Sequence, residues 1–464
     1  MSVYKACDIR GHALEELTPH MYRNWGRSLG RKIVPGSTFV VGGDVRPSTG
    51  PFLAALIEGL YTAGMQVVDL GIVPTPMVYF AGRHLRARGC AIVTASHSPP
   101  AINGLKWMVG TLPPDEAEVL EMRQNIHATA AYKDENSPGN YQKLDIDSVY
   151  TPWLQQAWDG READSGSPIV VDPGNGSWAG RCLPCLEQVF PHLSFRGIHD
   201  RPDGTFPERN PDCARPAYLE ELAGLVSQLQ ADLGIAFDGD GDRVAFVDNE
   251  GKVLTTEEAI WVLLCSFGDE LYGKPFIGDI KLSQHIAECA RRLGAVPQVQ
   301  RSGHAFIRTS MIQEGARFGA EFSGHYFYSE LQGGDDGLFT ACRMIDYLAK
   351  SGKSLAALRR ECPQITMTPD LRLRVEEGRQ DEVLRQVGRK FSQYPQNFID
   401  GVKIEFPDGW GLFRKSVTEA VISCRFEALD GKSLEQIVGE ACRGLGDLGR
   451  NLWEEYAGER KSNE

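Results

Sequence analysis

Four short stretches carry side chains whose types and spacing suit chemistry at oxygen. In the first, residues 94–104, a hydroxyl (Ser96) stands beside an imidazole (His97). An apolar run over 91–93 reads as a buried strand that ends there, and a second run over 105–109 carries Lys106 back past the loop. Pro99 and Pro100 fix φ, and Asn103-Gly104 is expected to supply a turn that tolerates positive φ. A stiff loop at a strand end that gathers a nucleophile-grade hydroxyl and cations is a candidate for catalysis; an ordinary serine-rich turn is the bland alternative.

The second stretch, Asp238-Gly239-Asp240-Gly241-Asp242-Arg243, is the sharpest. Carboxylates at alternate positions converge when glycines let the backbone curl. Two bare carboxylates about 4 Å apart repel by about 4 kcal/mol at an effective dielectric near 20, so three require a cation. Ligation by oxygen alone selects a hard divalent ion, Mg²⁺ first. A calcium-binding hand is excluded, because Arg243 and Asn249 stand where its glycine and glutamate belong and strands flank the loop. The third stretch, Glu321-Phe322-Ser323-Gly324-His325, alternates polar groups along what reads as one strand edge, suited to sugar hydroxyls. Arg414-Lys415-Ser416-Val417-Thr418 combines cations, hydroxyls and loop amides, the equipment for a phosphate, and an exposed turn is its alternative. Lys281 and Arg301-Ser302-Gly303-His304 follow strand ends and add cations.

Two other patterns are decoys. Gly26-Arg27-Ser28-Leu29-Gly30 has the spacing of a nucleophile elbow but falls inside an amphipathic helix expected over 19–33. Gly174-Asn175-Gly176-Ser177-Trp178-Ala179, with Asp200 further on, resembles a dinucleotide fingerprint and supports an NAD(P)-binding oxidoreductase as the reading from another class. That reading leaves the carboxylates, the Ser96 loop and the Arg414 loop unused.

Three segments repeat one plan that would position these loops. Strand, helix and strand are expected over 38–42, 51–63 and 66–70, again over 168–171, 177–189 and 193–197, and again over 275–277, 283–293 and 296–299. A further strand in each (91–93, 233–237, 317–320) ends at Ser96, Asp238 or Glu321. Such alternation predicts α/β domains with mixed sheets flanked by helices and ligands at strand ends. Past Pro363 the pattern becomes a smaller α+β domain: strands over 371–375, 401–406, 411–413 and 421–426, a helix over 380–391, and a closing helix from Ser433 whose Ser433/Gln436 spacing suits a capping box. The tail after Tyr456 is expected to fray. The domains are placed at 1–150, 151–252, 253–365 and 366–464.

Composition agrees with a globular enzyme: 464 residues, 42% hydrophobic and 24% charged. A net charge of −13 argues against a nucleic-acid partner, while a few local cations still suffice for a small phosphate. No apolar run suits a signal core or a membrane span. The eleven cysteines, Cys182-Leu183-Pro184-Cys185 among them, complete no zinc pattern and point to reduced thiols in a cytoplasm.

Taken together the loops resemble the α-D-phosphohexomutase family, its phosphomannomutase/phosphoglucomutase branch, over nearly the whole chain. The resemblance rests on residues 94–99, 238–243, 321–325 and 414–418, with lesser matches at 5–11, 71–76, 202–207 and 279–281. It implies four domains around a central cleft, each contributing one loop. Ser96 would carry a phosphoryl group beside Mg²⁺ held by Asp238, Asp240 and Asp242. Hexose 6-phosphate and hexose 1-phosphate, of mannose or glucose, would interconvert through a hexose 1,6-bisphosphate. Arg10, Lys106 and Arg243 would border the transferring group, with Lys106 as first acid/base candidate and His97 and His304 behind it. Glu321, Ser323 and His325 would grip hydroxyls, and Lys281, Gly303, Arg414, Ser416, Val417 and Thr418 would complete the substrate site. The enzyme would be a monomer or dimer. Cys7, Gly43, Val417 and Ala420 depart from the family pattern. Phosphoglucosamine mutase and a non-catalytic sugar-phosphate binder are the nearer alternatives.

Overall fold

A computed structural model of the chain describes residues 2–128, 139–158, 167–376, 378–415 and 421–463. The repeated unit occurs three times with one strand order. In the first sheet the strands Ile102–Val109, Gly89–Val93, Thr38–Gly43 and Gln66–Ile72 lie side by side. In the second the order is Val244–Asp248, Leu233–Phe237, Ile169–Asp172, Phe195–Gly197, and in the third Tyr326–Tyr328, Phe318–Ala320, Pro275–Asp279, Val296–Gln300. Within each set the three strands that come first along the chain run parallel, and the fourth, at the edge of the set, is antiparallel. The strands Gly89–Val93, Leu233–Phe237 and Phe318–Ala320, buried from end to end, each deliver one loop, to Ser96, Asp238 and Glu321 respectively. Ile9–His12 and Asn140–Lys143 widen the first sheet, and Gly334–Asp335 the third.

The fourth domain is an antiparallel sheet in the order Thr366–Met367, Val421–Ala428, Gly409–Lys415, Val402–Phe406, Gln396–Asn397, with Leu371–Arg374 also on Val421–Ala428. It has its own core, formed with the helices Gln380–Lys390, Gly431–Leu445 and Asp447–Asn463. The first three domains instead share apolar packing. The helix Asp147–Ala157, which an expected boundary after residue 150 would cut, places Tyr150 between Phe80 and Trp178 with ring centroids 5.2 and 5.9 Å away. The Tyr150 hydroxyl donates to Asp336 of the third domain at 2.6 Å.

Several expectations are corrected. Asn103-Gly104 is no turn: both lie in the strand Ile102–Val109, where a Cβ on Gly104 would stand 2.0 Å from the Ile9 carbonyl oxygen. The positive φ sits at Ser96 instead, at 53°. The helix expected from Ser177 begins at Cys182, because residues 174–181 form turns that brace the carboxylate loop. Glu321–His325 is a tight turn and not a strand edge: the Glu321 amide donates to the His325 carbonyl at 3.0 Å, and Gly324 has φ 91°. The last helices also differ. Asp430, not Ser433, caps Gly431–Leu445 by accepting from the Ser433 amide. The helix Asp447–Asn463 continues past Tyr456, anchored by buried Leu452 and Tyr456.

The elbow-like glycines lie within the helix Pro19–Arg31, which Thr18 caps and Pro19 opens. All eleven cysteines are free, with Cys182 and Cys185 buried in a first helical turn. Among the described residues no helix is long and apolar enough to cross a membrane.

Candidate active site

The Ser96 loop and the carboxylate loop meet across the first two domains. Ser96, nearly inaccessible, donates from Oγ to Asp238 Oδ2 at 2.8 Å, and the His97 Nδ1 lies 3.3 Å from the same Oγ. Burial, with Arg243 and Arg10 close by, holds the His97 pKa well below the usual imidazole range. His97 is therefore a neutral ring beside the hydroxyl.

Asp238, Asp240 and Asp242 are all buried, and their ligand atoms lie within 4.8 Å of one another. Asp238 Oδ1 accepts from the amides of Gly241 and Arg243 at 3.0 and 3.2 Å, and Arg243 Nε donates to its Oδ2 at 3.0 Å. Lys106, from the adjacent strand, donates to Asp240 Oδ2 at 2.9 Å and Asp242 Oδ2 at 2.6 Å. Burial raises the carboxyl pKa of Asp242, as does the Asp240 charge, to about 7. Asp240 is held well below the usual carboxylate range: burial opposes this, but Lys106 and the Thr75 hydroxyl outweigh it. Burial also works against charge on Lys106, yet Asp240 and Asp242 keep it firmly an ammonium.

Asp240 Oδ1 and Asp242 Oδ1 have no hydrogen-bond partner. Three carboxylates facing two paired cations, with two buried oxygens unsatisfied, fit a hard divalent ion. Asp242, His325 and Asp335 also lie close enough to share an ion, but His325 Nδ1 is 2.6 Å from Asp335 Oδ2 and engaged there.

The turn at 174–181, read as a decoy dinucleotide fingerprint, supports this loop. The Ser177 amide donates to the Gly239 carbonyl at 2.9 Å, and the Trp178 indole to the Gly241 carbonyl at 2.9 Å. Asp200, the acidic residue of the fingerprint, accepts from the Gly180 amide at 2.7 Å. The Ser177 and Gly180 amides and Asp200 Oδ1 are thus engaged within the protein.

The third domain brings Glu321, whose buried Oε2 has no partner, and Ser323, whose Oγ has none either. Burial raises the Glu321 pKa. The His304 and His325 rings stack at 5.9 Å. Burial, then Lys106, pushes His304 down to about 3, whereas Asp242 and Asp335 overcome burial and raise His325 to about 9. Gly303, with φ 132°, precedes the helix His304–Gln313. Arg10 pairs with Asp8 at 2.8 Å on the strand beside Lys106. Lys281 reaches Asp370 at 2.7 Å. Arg414 reaches Asp400 at 2.9 Å, and Asp400 also accepts from the Ser302 amide at 3.2 Å. Ser416, Val417 and Thr418, with Ala420, lie outside the described residues.

Three residues with evident parts here escaped the sequence reading. Thr75 donates from its hydroxyl to Asp240 Oδ2 at 2.6 Å, Asp335 holds His325, and Asp400 holds Arg414. Thr75 falls inside the lesser match at 71–76, which was its only signal.

Comparison with known proteins agrees with this geometry. Residues 1–132, 149–251 and 258–365 match the phosphoglucomutase/phosphomannomutase alpha/beta/alpha domains I, II and III, and residues 371–443 match its C-terminal domain. The chain is 32% identical over 443 residues to a phosphomannomutase/phosphoglucomutase of Pseudomonas aeruginosa, covering 94% of each. It is 31% identical over 448 residues to a phosphoglucomutase of Neisseria meningitidis, covering 94% of this chain and 95% of the other. A crystal structure of a family protein from Burkholderia thailandensis superposes with a TM-score of 0.87 at 29% identity, over 96% of this chain and 97% of that one. Four domains matched in order along one chain place it in the phosphoglucomutase/phosphomannomutase family.

Proposed function

We propose that this enzyme interconverts hexose 6-phosphate and hexose 1-phosphate, of mannose, glucose or both, with Ser96 as phosphoryl carrier. One observation carries the reading: the Ser96 hydroxyl lies 2.8 Å from Asp238 within a buried carboxylate triplet that Lys106 and Arg243 border. An acyl-transfer nucleophile needs an adjacent base and amide donors for an oxyanion, whereas phosphoryl transfer needs positioning and charge neutralisation. In the forward half-reaction the bond between Ser96 Oγ and phosphorus breaks as a bond forms from phosphorus to the oxygen of the free sugar hydroxyl, whose proton is passed in net to Ser96 Oγ, giving a hexose 1,6-bisphosphate. After that intermediate turns over, its other phosphate returns to Ser96.

Asp238, Asp240, Asp242 and a Ser96 phosphate oxygen would hold Mg²⁺, which supplies charge neutralisation at the transferring group. Lys106 and Arg243, with Arg10 nearby, neutralise the remaining charge. Lys106 is the first candidate for general acid/base, with His97 and His304 behind it. Glu321, Ser323 and His325 bind sugar hydroxyls, and the unpartnered Glu321 Oε2 and Ser323 Oγ support that role. Lys281, Gly303, Arg414, Ser416, Val417 and Thr418 receive the phosphate that is not reacting. The functional units we assign are 1–150, 151–252, 253–365 and 366–464, in a cytoplasmic monomer or dimer.

The test is a coupled assay of mannose 1-phosphate and glucose 1-phosphate, each primed with the matching 1,6-bisphosphate. Turnover of at least one is expected. Turnover of neither, with Ser96 shown by mass spectrometry to be phosphorylated, refutes the reading.

A further inference from the structure

Asp44 and Arg46 follow the strand Thr38–Gly43 of the first sheet, and the Arg46 side chain is wholly buried. Its Nε donates to Asp44 Oδ2 at 2.9 Å. Its Nη1 donates to the carbonyl oxygens of Pro99 and Ile102 at 2.5 and 2.8 Å, and its Nη2 to those of Ser96 and Ser98 at 2.7 and 2.5 Å. A guanidinium has five N–H protons, and all five are used within the protein. None is left for a phosphate, so this arginine serves the loop and not the substrate.

The pair also reaches the other side of the Ser96 peptide. Asp44 accepts from the Thr49 hydroxyl at 2.8 Å and the Thr94 hydroxyl at 2.7 Å, and Thr94 Oγ1 accepts from the Ser96 amide at 2.9 Å. The carbonyl and the amide of Ser96 thus both trace to Asp44–Arg46, around a residue whose φ of 53° an L side chain does not adopt unaided.

The second domain closes the mount. The Phe206 ring centre lies 5.4 Å from the Arg46 guanidinium carbon. A Cβ on Gly204 would stand 2.2 Å from the Val45 carbonyl oxygen, so the turn at 202–207 sits directly on the Arg46 backbone.

We propose that Arg46 is a positioning residue for phosphoryl transfer: paired with Asp44 and faced by Phe206, it holds segment 96–102 so that Ser96 Oγ meets Asp238. This rests on the reading of Ser96 as phosphoryl carrier. A lysine at this position concentrates its donors on one atom and cannot span four carbonyls spread along the segment. An Arg46→Lys enzyme therefore keeps the charge opposite Asp44 and loses the mount.

Wild type, Arg46→Lys and Arg46→Gly are compared in the primed mutase assay and by amide hydrogen exchange over 96–102. Arg46→Lys should lose about 100-fold in kcat, the size of a misplacement of about 1 Å, with KM unchanged and faster exchange over 96–102. Free guanidinium ion should restore part of the Arg46→Gly rate, as filling a purely structural void would not. If Arg46→Gly does not fold, Phe206→Leu takes its place and should also lower kcat and speed the same exchange. Wild-type kcat in Arg46→Lys, a defect confined to KM, or a lower kcat with unchanged exchange would each overturn the proposal. Failure of the wild type to turn over any hexose phosphate would overturn the Ser96 reading, and the exchange comparison would still decide whether Arg46 holds the loop.

Discussion

Replacing Thr75 with valine removes one hydroxyl of nearly unchanged shape from a place where water cannot substitute for it. Thr75 and Asp240 are both inaccessible, and their side chains meet at 2.6 Å. The Thr75 amide also donates to the Asp240 carbonyl at 2.9 Å and survives the change, so the carboxylate loop stays docked on the first domain. What is lost is the tether that turns Asp240 Oδ1 toward the other carboxylates, leaving Lys106 alone on Oδ2. A hydrogen bond to a charged group contributes about 1.5–3 kcal/mol. At about 1.4 kcal/mol per tenfold, that is roughly 10–100-fold in metal affinity, the usual cost of removing a partner that orients a ligand. Mg²⁺ titrations by calorimetry and by half-saturation of activity should both show that weakening in Thr75→Val, while Thr75→Ser stays near wild type. An unchanged Mg²⁺ half-saturation in Thr75→Val, or a serine variant as impaired as the valine one, would refute the reasoning.

What the sequence made legible is what depends on neighbours along the chain. The strands Gly89–Val93 and Leu233–Phe237 are buried throughout, so they read as apolar runs, and the polar loops ending them stood out by contrast. The carboxylate triplet was legible because alternate acids between glycines have few uses. The failures share a cause too. Asn103-Gly104 has the composition of a turn, but the close approach of the strand Ile9–His12 requires a residue without a side chain at 104, and pairing overrode local preference. Residues 174–181 carry a helix-opening pattern, yet the Ser177 amide and the Trp178 indole are drawn to the carboxylate loop more than 60 positions away. Thr75, Asp335 and Asp400 act through side chains distant in sequence or on another element, and no local spacing marks such residues. The loops that meet at the candidate site were therefore legible, whereas the groups that hold them still required the tertiary structure.

Chelation with EDTA should abolish turnover and added Mg²⁺ should restore it; activity that persists after exhaustive chelation would remove the metal from the reading. Asp400→Asn frees Arg414 from its 2.9 Å partner and weakens the link to the Ser302 amide, so KM for the hexose phosphate should rise about tenfold with kcat nearly unchanged. A kcat defect at unchanged KM would contradict that assignment. Lys403 lies between the third and fourth domains, with its ammonium 3.8 Å from the centre of the Trp410 ring and 3.2 Å from the Ile280 carbonyl oxygen. Burial pushes its pKa from 10.5 down to about 8, against the pull of Glu427 and Asp279. Between those two values the unfolded chain binds more protons than the folded one, so stability should rise as pH climbs from about 8 to 10.5 and be insensitive to this group below 8. The span corresponds to about 3 kcal/mol, so Lys403→Met should raise the melting temperature at pH 7 and flatten the alkaline rise. A methionine variant that melts lower at pH 7, or keeps the wild-type slope above pH 8, would show that Lys403 stabilises the interface as a cation.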